Sequence, residues 1–127
     1  GDAPPALYLI YSAGNFIECK SEVPFLQIGE TKYGKPILDR AIRMETPLDE
    51  AVKIGLLSFD SAMRSNLGVA RPIDILVMPR GRDRPLLQTR IENDDAYFNA
   101  VSLQWSDMLR GAVKQIPNPP FMQEAAE

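Results

Sequence analysis

The chain has 127 residues, about the size of one domain, and its 45% hydrophobic and 24% charged residues are typical of a globular fold rather than a disordered or collagen-like chain. The net charge of −3 provides no overall attraction to nucleic acid or acidic lipid, and no apolar stretch approaches the ~20 residues that cross a bilayer. There is no histidine, which excludes the commonest metal ligand and every histidine-dependent triad, and the single cysteine, Cys19, favours a reducing, cytoplasmic compartment.

The first recognisable unit is a β-hairpin. Apolar runs over Leu7 to Ala13 and Phe16 to Lys20 flank Gly14-Asn15, which the pattern indicates as a two-residue type II′ turn. A third strand is predicted over Phe25 to Ile28, because Pro24 before it suits the start of a strand or an edge.

Two helices are predicted next. Pro36 suits the first position of a short helix that ends near Arg43. A longer helix is predicted from Pro47 to about Asn66, with Thr46 as its N-cap and acidic residues in its first turn. Its apolar residues fall on two faces, so we expect it to be buried on two sides.

A second hairpin and a last helix complete the pattern. Ile73 to Met78 and Leu86 to Ile91 are predicted as its strands, with a polar turn over Pro79 to Arg84. Asn93-Asp94-Asp95 then caps a helix with an apolar stripe (Phe98, Val101, Trp105, Met108, Leu109, Ala112 and Ile116), and residues 117–127 form a Pro-rich tail. This order of elements favours an α+β fold in a single domain over residues 1–127.

The segment from Gly29 to Pro36 has the spacing of a phosphate-binding P-loop. The last position does not match the P-loop pattern, because Pro36 has neither a hydroxyl for Mg²⁺ nor a backbone N–H for phosphate. A glycine-hinged turn into a helix is therefore the preferred interpretation, and a nucleotide-binding regulator is the weakest alternative.

Three arginines, Arg80, Arg82 and Arg84, gather at the turn of the second hairpin. They could form a basic finger for phosphate or for an acidic partner, but no aromatic stacking platform accompanies them, so a solvated hairpin tip is preferred. From residues and spacing alone no catalytic group, metal site or cofactor site can be assembled, and neither metal nor cofactor is expected.

Several segments together resemble a known family. Four segments carry the resemblance: Tyr11-Ser12-Ala13-Gly14-Asn15-Phe16-Ile17-Glu18, Phe25-Leu26-Gln27-Ile28-Gly29-Glu30-Thr31-Lys32-Tyr33-Gly34-Lys35-Pro36-Ile37-Leu38-Asp39-Arg40, Thr46-Pro47-Leu48-Asp49-Glu50-Ala51 and Arg64-Ser65-Asn66-Leu67. Together they resemble the bacterial proteasome-like peptidases of the ancestral β-subunit family, Anbu. The likeness is strongest over residues 7–78. It implies that residues 1–127 are one partial domain, the C-terminal half of an N-terminal-nucleophile hydrolase in which two antiparallel sheets lie between helical layers.

In such hydrolases the first residue of the mature chain, usually threonine, attacks the peptide carbonyl, and its own α-amine acts as the base. The resemblance places this threonine, and a lysine and an aspartate that assist it, in the first half of the family's chain. Gly1 is not a nucleophile. We therefore expect this chain to be inert alone and the intact protein to be a threonine-type peptidase acting on peptide or protein substrates.

The resemblance also implies three supporting residues. Proteasome subunits place an aspartate and a serine after the long middle helix, and here Ser65 stands near the aspartate and Gly68 near the serine. A further serine of the proteasome pattern falls near Glu30-Thr31, where this sequence again has other residues. Ser65, Asn66 and Thr31 are thus candidates for hydrogen bonds near the catalytic amine, and roles in capping turns and ending the helix are the alternative.

The family likeness further implies self-association into ring-like or helical oligomers. A non-catalytic structural or interaction module that only mediates self-assembly is the alternative function. No nucleic-acid or membrane partner is expected for either.

Overall fold

A computed structural model describes residues 3–125, apart from the side chains of 123 and 124. Gly1, which the sequence excludes as a nucleophile, lies outside the described residues. The chain divides into two compact units, Gly1–Asp95 and Ala96–Glu127, which are described separately below. Within the described part there are four helices and two small antiparallel sheets, so the predicted α+β class is confirmed.

The first hairpin pairs β1 (Tyr8–Ile10) with β2 (Phe16–Glu18), as expected. Its turn differs from the predicted two-residue loop. The Gly14 N–H donates to the Tyr11 carbonyl at 2.9 Å, and the Tyr11 N–H donates to the Asn15 carbonyl at 2.8 Å. The loop therefore has three residues and ends at Gly14, whose φ of 86° matches the left-handed position that closes such hairpins.

The third strand predicted over Phe25 to Ile28 is wrong, because the structure has no strand there. The chain forms only an isolated bridge between Lys20 and Val23 before it, and the Phe25 N–H donates to the nearby Val23 carbonyl at 2.9 Å. A β-favouring run becomes a strand only where another strand offers hydrogen bonds. Among the described residues both sheets stop at two strands.

Two helices form the middle of the first unit, α1 (Lys35–Ala41) and α2 (Leu48–Ser65). Cavities of about 360 and 230 Å³ lie between α2 and two different neighbours, the first toward α1 and residues 26–30 and the second toward residues 73–76. Thus α2 has neighbours on two sides, as its two apolar faces predicted. Its buried residues are Leu56, Ser58, Asp60 and Ala62.

The predicted N-cap of α2 is wrong. Thr46 Oγ1 accepts the backbone N–H of Arg43 at 2.8 Å, and the Thr46 N–H donates to the Arg43 carbonyl at 3.1 Å. These two bonds close the turn between the helices, so the hydroxyl does not reach the first turn of α2. Pro47 occupies the cap position without a side-chain hydrogen bond.

The second hairpin pairs β3 (Ile73–Val77) with β4 (Leu87–Ile91), close to the predicted bounds. Its buried residues alternate along the strands, at Ile73, Val77 and Ile91. Across the strands Arg90 donates two hydrogen bonds, of 2.7 and 3.0 Å, to the carboxylate of Asp74. This bond lowers the pKa of Asp74 and raises that of Arg90. The three arginines of the turn are exposed.

The second unit contains α3 (Ala96–Gln115) and α4 (Pro120–Glu124). The apolar stripe predicted for the last helix lies within or just after α3, and its residue Phe98 is buried whereas Leu109 and Ile116 are exposed. The predicted Pro-rich tail includes the short helix α4, and residues 126 and 127 lie outside the described part. None of the described helices combines the length and the apolar character needed to cross a membrane.

Candidate functional site

The loop before α1 and the C-terminal end of α2 enclose an open depression of about 580 Å³. All three residues singled out in the sequence border it, although Thr31 is far from Ser65 and Asn66 along the chain. The lining consists of Gly29, Glu30, Thr31, Lys32, Tyr33, Ser65, Asn66 and Leu67. The structure thus brings the candidate residues together, and their role stays a prediction.

The loop side of the depression is held by hydrogen bonds of its own. Glu30 turns its carboxylate back into the loop, where Oε1 accepts the N–H of Lys32 at 2.6 Å and that of Tyr33 at 3.2 Å. The side-chain amide of Gln27 donates to the Glu30 carbonyl at 2.7 Å. Gly29 enters the loop with a φ of 79°, a left-handed conformation that favours glycine.

The helix side ends in an Asn-stabilised turn. The Asn66 N–H donates to the Ala62 carbonyl at 2.8 Å, which is the last bond of the helical ladder. Asn66 Oδ1 accepts the Gly68 N–H at 2.9 Å. This is the helix-ending role named as the alternative for Asn66, and it leaves the side-chain amide N–H₂ of Asn66 for other contacts.

Two exposed residues that line the depression, Thr31 and Ser65, carry hydroxyl groups. The hydroxyls of Thr31 and Ser65 are exposed, and within the described residues neither makes a hydrogen bond to the rest of the chain. A hydroxyl donates one hydrogen bond and accepts others, so both can hold a polar group of another chain segment or of a ligand.

Acidic groups near the depression have partners inside the chain. The buried carboxylate of Asp60 on α2 forms an ion pair with Arg64 at 3.2 Å. In the described part of the chain no group of three or more histidine, cysteine, aspartate or glutamate side chains is arranged to hold a metal ion. The sequence analysis missed the inward turn of Glu30. Its position directly after Gly29 and before a turn is the local signal that could have indicated it.

In the P-loop-like segment, backbone N–H groups bind a side chain of the same segment, whereas in a P-loop such groups bind phosphate. The N–H groups of Lys32 and Tyr33 point at the Glu30 carboxylate. Lys35, the lysine of the pattern, lies 2.8 Å from Asp39 and 5.9 Å from the centre of the Phe25 ring. Because these donors are already engaged, the geometry favours the interpretation as a turn over that as a nucleotide site.

Comparison with known proteins identifies the fold. No family model and no curated protein matches the chain. Among solved structures, the helical assembly of the Anbu complex from Pseudomonas aeruginosa is 50% identical with a TM-score of 0.83, and the match covers 94% of this chain and 49% of that chain. The Gly-1 mutant of Anbu from Hyphomicrobium sp. strain MC1 is 49% identical with a TM-score of 0.89, covering 93% of this chain and 50% of that one.

Anbu from Yersinia bercovieri is 41% identical with a TM-score of 0.86, and its match covers 92% of this chain and 50% of that chain. This chain therefore spans about half the length of the solved structures that it matches. Identity at this level over more than nine-tenths of the chain, on the same backbone, is the basis for assigning the family. The chain belongs to the Anbu, or ancestral β-subunit, family.

Proposed function

We propose that this chain is the C-terminal half of a proteasome-type threonine peptidase subunit, and that the nucleophile and its base belong to the other half. The observation that carries this proposal is the match to Anbu chains at 41–50% identity over half of their length. On this proposal the 127 residues supply scaffold and assembly surface. Alone, they do not hydrolyse peptides.

Exposed apolar surface on the first hairpin supports the proposal that another segment of the intact protein covers this hairpin. Tyr8, Ile10 and Phe16 lie on the same face of the hairpin, since Ile10 is opposite Phe16 and side chains alternate along each strand. Ile10 is 72% exposed and Phe16 is 64% exposed. A two-stranded sheet is marginally stable by itself in water, so such a face is expected to pack on further strands or helices.

The depression between residues 29–33 and the end of α2 supports a role beside the catalytic group. Its hydroxyls, from Thr31 and Ser65, and its amide, from Asn66, are groups that hold an amine or a carbonyl by hydrogen bonds. We infer that these residues orient the reacting end of the other half and do not themselves attack the substrate.

Self-association is the second part of the proposal. The Pseudomonas aeruginosa relative is described as a helical assembly. We infer that this protein also forms ring-like or helical oligomers, in the cytoplasm, where its single Cys19 stays reduced. The alternative function is a non-catalytic assembly module. The uncovered face of the first hairpin supports this alternative as much as it supports the peptidase.

The test is hydrolysis of fluorogenic peptides by the complete subunit encoded by the gene. We expect turnover that disappears when the first residue of the mature chain is replaced by alanine, with the oligomer unchanged by light scattering. Turnover that survives this replacement would refute the nucleophile assignment. Assembly without any turnover, across a broad panel of peptides, would favour the non-catalytic module.

A further inference from the structure

Glu30 is placed to control the shape of the depression. It directly precedes Thr31, an exposed hydroxyl-bearing residue that lines the depression. Its carboxylate accepts the N–H of Lys32 at 2.6 Å and that of Tyr33 at 3.2 and 3.3 Å, so both oxygens contact the loop. Thr31 is therefore enclosed in a short ring closed by the Glu30 side chain.

A second contact anchors this ring to the preceding segment. The amide of Gln27 donates to the Glu30 carbonyl at 2.7 Å, which connects residues 26–28 with the loop. Glu30 and Gln27 are both half-buried, whereas Thr31 is exposed. The Gln27 bond is part-buried, and the bonds from Lys32 and Tyr33 to the Glu30 carboxylate are exposed. Together they restrain the backbone that carries the Thr31 hydroxyl.

The carboxylate of Glu30 accepts hydrogen bonds from its own loop through both oxygens. Hydrogen bonds from backbone N–H groups to a carboxylate are charge-assisted and short, as the 2.6 Å distance illustrates. Loss of the carboxylate would leave two N–H groups without this acceptor and would release the backbone around Thr31.

We propose that Glu30 is the positioning residue of the depression, and that it acts by holding Thr31 opposite Ser65 and Asn66. This inference rests on the proposed function, because it gives these three residues a shared task beside the catalytic group of a peptidase. It assigns to Glu30 an indirect effect on turnover, through the orientation of Thr31, and no contact with substrate.

The test compares Glu30→Ala with Glu30→Gln in the complete subunit, because glutamine retains an oxygen that can accept the Lys32 N–H. We expect Glu30→Ala to lower kcat about tenfold to a hundredfold, as misplacement of supporting groups does. KM should stay within about twofold, since no substrate contact is lost. Glu30→Gln should recover most of the turnover. The matched control is Glu45→Ala, which removes an exposed glutamate from the turn between α1 and α2.

A second measurement does not depend on activity. Hydrogen exchange, followed by mass spectrometry on peptides that contain Lys32 and Tyr33, should be about tenfold faster in Glu30→Ala, and close to wild type in Glu30→Gln and Glu45→Ala. Faster exchange with unchanged kcat would overturn the positioning role, and unchanged exchange would overturn the ring itself. If the wild-type subunit shows no turnover but the exchange result holds, the peptidase proposal fails and the positioning role fails with it, whereas the ring stands.

Discussion

The buried hydroxyl of Ser58 on α2 donates a hydrogen bond of 2.9 Å to the carbonyl of Gly34, the N-cap residue of α1. The two backbones approach so closely that a Cβ added at Gly34 would lie 2.5 Å from the Ser58 Oγ and 2.9 Å from the Ser58 carbonyl oxygen. This contact joins α1 to α2 and places the loop of residues 29–33 beside the end of α2. Gly34 is therefore required for close approach and not for an unusual backbone conformation, since its φ of −90° suits any residue.

Replacing Gly34 by alanine should destabilise the fold. The methyl group would collide with a backbone oxygen that cannot move without α2, and overpacking of this kind costs about 1–3 kcal/mol. Ser58→Ala should cost about 0.5–1.5 kcal/mol, the usual value of one hydrogen bond. Its cost stays small because the Gly34 carbonyl also accepts N–H groups of the first turn of α1. Urea unfolding of both variants gives the comparison, and an equal loss in the two would contradict the steric explanation.

Two other glycines should respond to alanine with opposite signs. Gly14 adopts a φ of 86° at the end of the hairpin loop, where a Cβ costs about 1–2 kcal/mol. Gly55 lies inside α2, and a Cβ there would meet nothing within 4 Å. Gly55→Ala should therefore stabilise the chain by about 0.5–1 kcal/mol. The two melting temperatures should move in opposite directions, and a gain in stability for Gly14→Ala would contradict the left-handed turn.

The pair of Asp74 and Arg90 on the second hairpin should make stability depend on pH at the acidic end. The hydrogen bonds from Arg90 hold the pKa of Asp74 below its ordinary value of 3.8. The native state thus binds this proton less tightly than the unfolded chain does. The contribution of the pair is therefore fully present above the unfolded pKa and is lost as the pH falls through the lower folded value.

The check is the difference in melting temperature between wild type and Asp74→Asn, measured from pH 7 to pH 2. We expect a small difference at neutral pH, because both side chains are exposed and salt weakens such pairs. The difference should begin to shrink below about pH 4, where the unfolded chain takes up a proton on this carboxylate. It should disappear below the lowered folded pKa, where the carboxylate is neutral in both states. A difference that grows on acidification would show that the sign of the pKa shift is wrong.

Local sequence signals predicted most of the elements, and they failed where an element depends on distant partners. Both hairpins and the helices α1, α2 and α3 follow from alternation, helical spacing and turn residues, which act between near neighbours. The run from Phe25 to Ile28 has the composition of a strand, but pairing requires a neighbour that the pattern cannot supply. Thr46 is likewise a residue type that favours N-cap positions, but its hydroxyl accepts the backbone N–H of Arg43 in the turn before α2.

The depression could be anticipated only through the family likeness. Thr31 precedes α1 and Ser65 is the last residue of α2, and no spacing rule connects a loop with the end of the second helix after it. Their approach follows from the contact between Gly34 and Ser58, which neither residue type reveals alone. The inward turn of Glu30 was missed for a related reason, since a glutamate in a polar loop usually indicates a solvated side chain.

The last prediction concerns self-association of this chain. Ile10 and Phe16 are opposite each other on an uncovered face of a hairpin whose outer edges are unpaired within the described residues. Such faces and edges promote contacts between copies. We expect the sedimentation coefficient to rise with concentration in the micromolar range. Phe16→Lys should reduce this rise, because a charge on the face opposes burial.

Met44→Lys is the matched control, since Met44 is 67% exposed in the turn between α1 and α2 and lies on no strand. It adds the same charge and removes an apolar side chain of comparable size, so it should leave the association unchanged. An equal reduction by the two variants would assign the effect to net charge. A monodisperse monomer in the wild type at every concentration would show that the apolar face of the hairpin is not sufficient to bring two copies together.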